Sequence, residues 1–68
     1  MTLKINGENH EIEVPGESLS AEQLLAELNL GYPVLVEHNG DALFPRELPE
    51  REIRDGDSLE LMRMTAGG

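Results

Sequence analysis

The sequence predicts an α+β domain in which one helix packs across one face of a mixed sheet of four to five strands. Three observations lead to this fold class. The chain opens with two alternating apolar and polar segments around an Asn-Gly turn, continues with a capped helical segment, and ends with three short apolar segments separated by turns. A helix and a sheet each present an apolar side, and packing one against the other buries both.

The first two strands form a predicted hairpin. Leu3 and Ile5 alternate with polar residues, and Asn6-Gly7 follows directly. An Asn-Gly pair is the strongest short hairpin signal, because both central residues of a type I′ turn need positive φ. The alternation resumes over residues 9–14 and stops at Pro15-Gly16.

The helix is predicted from about Ala21 to Leu30. Ser20 is a good N-cap, and Gln23 stands at the position from which its side chain can reach back to complete a capping box. Gly31 is expected to supply the left-handed residue that ends the helix.

Three further strands are predicted in the second half of the chain, at residues 34–36, 42–44 and 58–64. Asn39-Gly40 and Asp55-Gly56-Asp57 are the turns beside them, and residues 46–54 form a polar connection. The apolar run Val34-Leu35-Val36 is typical of a central strand covered on both faces. The last strand is expected in the middle of the sheet, beside the first.

Length and charge limit the function. A chain of 68 residues forms one domain and leaves little room for a catalytic cleft beside its core. With 14 acidic and 5 basic side chains its net charge is -9, which argues against nucleic acid and anionic membrane surfaces as partners. The favoured partner is a protein with a basic docking face, although acidity also serves solubility alone.

The missing residue types are also informative. The sequence has no cysteine, which excludes disulfides, thiolate metal sites and thiol nucleophiles, and favours a cytoplasmic location. His10 and His38 lack the surrounding ligands of a metal site. No apolar run has the length of a signal peptide or a membrane span, and Met1 fits a native start.

Four segments, spread over the whole length, carry a family resemblance. They are the hairpin with the helix after it, Val36–Gly40 leading into Phe44-Pro45-Arg46, residues 53–61 around the Asp-Gly-Asp turn, and the terminal Gly67-Gly68. In this order they resemble the β-grasp, ubiquitin-like sulfur carriers, most closely the ThiS family of thiamine biosynthesis. The resemblance implies a β-grasp fold over residues 1–64 and a flexible tail over residues 65–68.

The resemblance also implies a carrier cycle at Gly68. A ThiF/MoeB-like adenylyltransferase would use ATP to adenylate the Gly68 carboxylate, and a sulfur donor enzyme would convert it to a thiocarboxylate. The sulfur would then pass to a ThiG-like thiazole synthase. The chain itself would be a co-substrate with no bound cofactor, and not an enzyme.

The tail residues implied to serve this cycle are Thr65, Ala66, Gly67 and Gly68. A narrow channel in another protein favours glycine, because glycine has no Cβ and its backbone can approach closely. Four extended residues reach about 13 Å, at about 3.3 Å each.

Four residues near the tail and on the sheet are predicted to dock partner enzymes: Met62, Met64, Arg63 and Phe44. If Leu59 and Leu61 face the helix, Met62 and Met64 lie on the opposite side of the sheet. Methionine adapts to different protein surfaces. Arg63 either steers the tail or is simply solvated.

Several alternatives remain open at this stage. The MoaD-type subunit of molybdopterin synthase shares the fold and tail, and related carriers feed the synthesis of amino acids or other metabolites. A ubiquitin-like modifier would join Gly68 to a lysine. A non-covalent interaction module would use the fold without any chemistry at Gly68.

Overall fold

The computed structural model describes residues 1–64, which form seven short strands and one helix. The elements in chain order are β1 (Thr2–Ile5), β2 (Glu8–Glu11), β3 (Ser18–Ser20), α1 (Ala21–Leu28), β4 (Val34–His38), β5 (Asp41–Leu43), a 3₁₀ turn (Pro45–Glu47), β6 (Glu52–Arg54) and β7 (Ser58–Arg63). The main sheet has the strand order β2-β1-β7-β4-β5.

The last strand, β7, lies at the centre of this sheet. It pairs parallel to β1, with Ile5 beside Leu59, and antiparallel to β4, with Val36 opposite Leu61. The predicted position of the last strand beside the first is therefore confirmed. A mixed five-stranded sheet with one helix is the β-grasp arrangement, so the predicted fold class is confirmed too.

Two strands were not predicted. β3 and β6 form a separate antiparallel pair in which Leu19 lies opposite Ile53, and both side chains are buried. Each strand has three residues with a single apolar side chain at its centre, which is too short to show an alternating pattern. Within residues 46–54, predicted as a polar connection, the chain forms both the 3₁₀ turn and β6.

The helix begins as predicted and ends two residues early. The backbone N–H of Gln23 donates to Ser20 Oγ at 3.0 Å, and the Ser20 N–H donates to Gln23 Oε1 at 2.9 Å. The helix ends at Leu28 because Asn29, at φ 50°, is its left-handed C-cap. The prediction that Gly31 is this cap is wrong, since asparagine tolerates the left-handed conformation well enough to end the helix sooner.

The core lies between the helix and one face of the sheet. Its buried apolar side chains are Leu3, Ile5, Leu19, Ala21, Leu24, Val36, Leu43, Ile53 and Leu59. The prediction that β4 is covered on both faces is wrong, because Val36 is buried while Leu35 is 50% exposed. One helix covers one face of a sheet, so the side chains that alternate with the core residues lie on an open face.

Candidate functional site

The C-terminal end of β7 brings the chain to the edge of the described structure. Met64 follows β7, and its backbone N–H donates to the carbonyl of Pro33 at 3.0 Å. This bond fixes the point from which residues 65–68 continue. Thr65, Ala66, Gly67 and Gly68 lie outside the described residues, so their predicted roles and the division into a domain and a tail stay predictions.

Large apolar side chains form a row across the open face of the sheet. Leu35 on β4 lies opposite Met62 on β7. The β4–β5 pairing places Val36 opposite Leu43, so extending it by one residue places Phe44 opposite Leu35. Phe44, Leu35 and Met62 are 61%, 50% and 45% exposed, and we call them the apolar row. Grouped exposure of this kind usually marks an interaction site.

Met64 extends this surface toward the end of the chain. It follows Met62 by two residues, so an extended backbone places both side chains on the same face, and Met64 is 42% exposed. The predicted exposure of both methionines is confirmed. Their role in docking stays a prediction.

Leu35 is the functional candidate that sequence reasoning missed. It stands in the middle of the run Val34-Leu35-Val36, and that run indicated a strand buried on both sides. The signal that could have found it is the count of helices. A single helix leaves one face of the sheet open, and Leu35 alternates with the buried Val36.

Arg63 lies apart from the other three predicted docking residues. Its backbone pairs with Val34, and alternation along β7 directs its side chain to the face opposite Met62 and Met64. Its guanidinium stacks over the ring of Tyr32, 4.5 Å from the centroid. The structure thus brings Phe44, Met62 and Met64 to one face and places Arg63 on the other.

Arg46 lies at the border of the apolar row. Its guanidinium is 5.0 Å from the centroid of the Phe44 ring, a distance at which a cation is attracted to the face of an aromatic ring. The positive charge of Arg46 therefore lies at the Phe44 end of the apolar row.

A buried histidine lies at the other end of β4. Nε2 of His38 is 2.7 Å from Oδ2 of Asp57, and Nδ1 is 3.3 Å from Nη1 of Arg51. Arginine only donates hydrogen bonds, so Nδ1 accepts, and Nε2 carries the proton that it donates to Asp57. Arg51 also donates to Oδ2 of Asp41 at 2.7 Å, which completes a chain of four side chains.

Burial and hydrogen bonding act in opposite directions on the pKa of Asp57. Burial alone raises the pKa of Asp57, but hydrogen bonds from His38 and from the backbone N–H of Arg54 more than offset it and hold the pKa below the usual 3.8. The arrangement ties the turn before β7 to the end of β4. It is a structural cluster, and within residues 1–64 no three His, Cys, Asp or Glu side chains are grouped as a metal site requires.

Among the described residues, no helix has both the length and the apolar character needed to cross a bilayer.

Comparison with known proteins decides the family. The sequence model of the ThiS family matches residues 3–68. The chain belongs to the ThiS family. The resemblance to ThiS sulfur carriers that was predicted from the sequence is thereby confirmed, and the match extends over Gly67 and Gly68.

Solved structures agree with this assignment. The crystal structure of the thiamine biosynthesis protein ThiS from Geobacter metallireducens is similar, with a TM-score of 0.81 and 32% identity over 100% of both chains. A solution NMR structure of a thiamine biosynthesis protein from the same organism gives a TM-score of 0.78 and 31% identity, over 100% of this chain and 88% of that one. A search of curated proteins finds no match.

Proposed function

We propose that this chain is a sulfur carrier of thiamine biosynthesis and that the carboxylate of Gly68 is the group that carries the sulfur. The observation that supports this most is the ThiS family match, which runs through Gly68. The similar structures from Geobacter metallireducens are thiamine biosynthesis proteins, and both are covered over most or all of their length.

The chemistry begins with activation of the Gly68 carboxylate. A carboxylate is a poor electrophile, because its negative charge repels nucleophiles. In the proposed first step a carboxylate oxygen attacks the α-phosphate of ATP, pyrophosphate leaves, and an acyl adenylate forms. The charge is now removed, and AMP is a good leaving group.

Sulfur enters in the second step. A sulfide sulfur attacks the acyl carbon, the bond to AMP breaks, and Gly68 becomes a thiocarboxylate. If the donor is a persulfide, its terminal sulfur attacks in the same way, and a thiol must then cleave the remaining S–S bond and form a disulfide. The thiocarboxylate sulfur is a nucleophile for the acceptor, which we propose is a thiazole synthase.

The proposed division of labour assigns all catalytic groups to partner enzymes. A ThiF/MoeB-like adenylyltransferase supplies the ATP site, and this chain supplies a substrate end that can be inserted there. β7 is held by strands on both sides, so the root of the tail at Met64 has a defined position. Beyond it, Gly67 and Gly68 have no Cβ that would block a narrow channel.

The open face of the sheet is the proposed docking surface for these enzymes. The apolar row and Met64 lie on one face, and Met64 is the last described residue, so a protein bound there lies beside the start of the segment that ends at Gly68. The activating enzyme and the sulfur acceptor must use the tail in turn. Methionine side chains suit this requirement, because their flexible thioethers adapt to different surfaces.

An intact-mass measurement tests the proposal. The purified chain is incubated with ATP, the adenylyltransferase and the sulfur donor. We expect a mass gain equal to the replacement of one oxygen by one sulfur, and no gain when ATP is omitted. A covalent conjugate with another protein would instead indicate a modifier. No change with partners shown to be active would indicate a non-covalent module.

The matched control is the chain that ends at Gly67. Removing Gly68 should abolish the mass gain and leave the thermal unfolding temperature unchanged, because the buried core residues of the described chain all lie between Leu3 and Leu59. Loss of folding in this variant would contradict the proposed role of Gly68 as an accessible end.

A further inference from the structure

Two glutamates face each other at the centre of the open face. Glu37 on β4 lies directly opposite Glu60 on β7, and neither strand is at the edge of the sheet. Directly opposite residues of an antiparallel pair have Cβ atoms about 4.5–5.5 Å apart, and like charges at these positions destabilise the sheet. We call these two residues the acidic pair.

Within residues 1–64, the acidic pair forms no ion pair with a basic side chain. The ion pairs within residues 1–64 join other side chains, and neither Glu37 nor Glu60 takes part in one. On the neighbouring strands of this face, Ala42 lies opposite Glu37, and Lys4 on β1 lies beside Ser58, diagonal to Glu60, with which it forms no ion pair. The two glutamates thus occupy opposite positions at the centre of the sheet, and neither has an ion-pair partner within these residues.

The acidic pair lies next to the apolar row. Leu35 and Met62 face each other two residues along the strands from Glu37 and Glu60. Two residues of a strand span about 6.6 Å, so the two rows are adjacent on the surface. The face therefore combines an apolar patch with two carboxylates that have no ion-pair partner within the described residues.

We propose that the acidic pair and the apolar row form one docking surface for the activating adenylyltransferase, whose own surface inserts a Lys or Arg side chain between Glu37 and Glu60. This inference rests on the proposed carrier function and specifies the chemistry of the partner. A cation between the two carboxylates removes their repulsion and gains charge-assisted hydrogen bonds. The apolar row supplies the buried area beside it.

The charge of the whole chain favours the same partner. A net charge of -9 attracts a basic surface from a distance and speeds the encounter. The acidic pair then determines how the two surfaces align. A partner with an acidic or a neutral group at this position leaves the repulsion between Glu37 and Glu60 in place.

The test compares two double variants with the same change in net charge. E37Q/E60Q removes the acidic pair. E13Q/E50Q removes two exposed acids whose side chains make no hydrogen bond or ion pair within residues 1–64 and which belong neither to the acidic pair nor to the apolar row. Association with the purified adenylyltransferase is measured for wild type and both variants at low and at high salt.

We expect E37Q/E60Q to associate about three- to tenfold more slowly than E13Q/E50Q at low salt, because charges at a docking surface act mainly on the association rate. The difference should shrink at high salt, where charges are screened. Equal rates for the two variants at low salt would overturn the proposal.

The repulsion itself is tested by thermal unfolding of the free proteins. E37Q/E60Q should unfold about 2–4 °C above E13Q/E50Q, since removal of an opposed like-charge pair is stabilising. An unfolding temperature equal to or below that of the control would contradict the repulsion. This measurement also shows that both variants are folded.

The intact-mass experiment separates this proposal from the carrier function. If wild type gains sulfur while both variants associate alike, the carrier function stands and the acidic pair is not a docking element. If wild type does not gain sulfur but E37Q/E60Q alone loses association, the docking surface stands and the carrier function is wrong.

Discussion

At the scale of single residues, His38 is the polar side chain that the fold buries most deeply among the described residues. It is satisfied on both ring nitrogens, by Asp57 and by Arg51. Asp57 in turn accepts from the backbone N–H of Arg54 at 2.9 Å. A buried polar group is costly when it lacks partners, and these bonds offset that cost while joining β4 to the turn before β7.

The lowered pKa of Asp57 predicts a specific acid sensitivity. The folded chain binds this proton less readily than the unfolded chain, whose Asp57 titrates near the usual 3.8. The stabilisation is therefore fully present above about pH 4 and is lost as the pH falls through the lower, folded-state pKa.

The substitution Asp57→Asn tests this sign. We expect the variant to lose about 1–3 kcal/mol of unfolding free energy near neutral pH, because it loses a charged hydrogen-bond acceptor. The difference in unfolding free energy between the variant and wild type should decrease below about pH 4. Urea unfolding at several pH values measures both, with Glu50→Gln as an exposed control. A difference in unfolding free energy that does not change with pH would contradict the proposed role of the Asp57 carboxylate.

Sequence reasoning found only part of this residue-level detail. The Asp55-Gly56-Asp57 turn was predicted because its residue types are typical of turns. The partnership between His38 and Asp57 could not be predicted, since it joins residues that are 19 positions apart and depends on the register between β4 and β7. Pattern along a chain does not give such a register.

At the scale of elements, the helix is the one unit whose start was fully predictable. Ser20 and Gln23 form both bonds of the capping box, as their spacing predicted. Its end was not predictable in the same way, because Asn29 and Gly31 both adopt positive φ and the sequence does not say which of them ends the helix.

Loss of the cap should have a measurable cost. Ser20→Ala removes the oxygen that accepts from Gln23 N–H, and we expect a loss of about 1 kcal/mol of stability. For a domain of this size that lowers the unfolding temperature by about 4–8 °C. Gln23→Ala keeps the Ser20 oxygen and should cost less. The unfolding temperatures are measured by circular dichroism. Equal values for Ser20→Ala and wild type would contradict the predicted loss of stability.

The two short strands show what element-level patterns miss. β3 and β6 pair with Leu19 opposite Ile53, both buried in the core, and each is a single apolar residue among polar neighbours. Leu35 shows the converse case. Its apolar neighbours in the sequence predicted that Leu35 is buried. Leu35 is exposed because no second layer covers its face of the sheet among the described residues.

At the scale of the whole molecule, the two faces of the sheet have different tasks. One face packs against the helix and holds the core, and the other carries the apolar row and the acidic pair. β7 contributes to both faces, and Met64, the last described residue, follows it directly. In this proposal, the apolar row and the acidic pair that bind the partner both include residues of the central strand β7.

The most direct test locates the transferred sulfur on the chain. After incubation with ATP, the adenylyltransferase and the sulfur donor, cleavage after Arg63 releases the peptide of residues 64–68, whose mass is then measured. We expect that this peptide alone gains the mass of one oxygen replaced by one sulfur. Sulfur found on any other peptide, or an unmodified peptide from a chain that has gained mass, would contradict it.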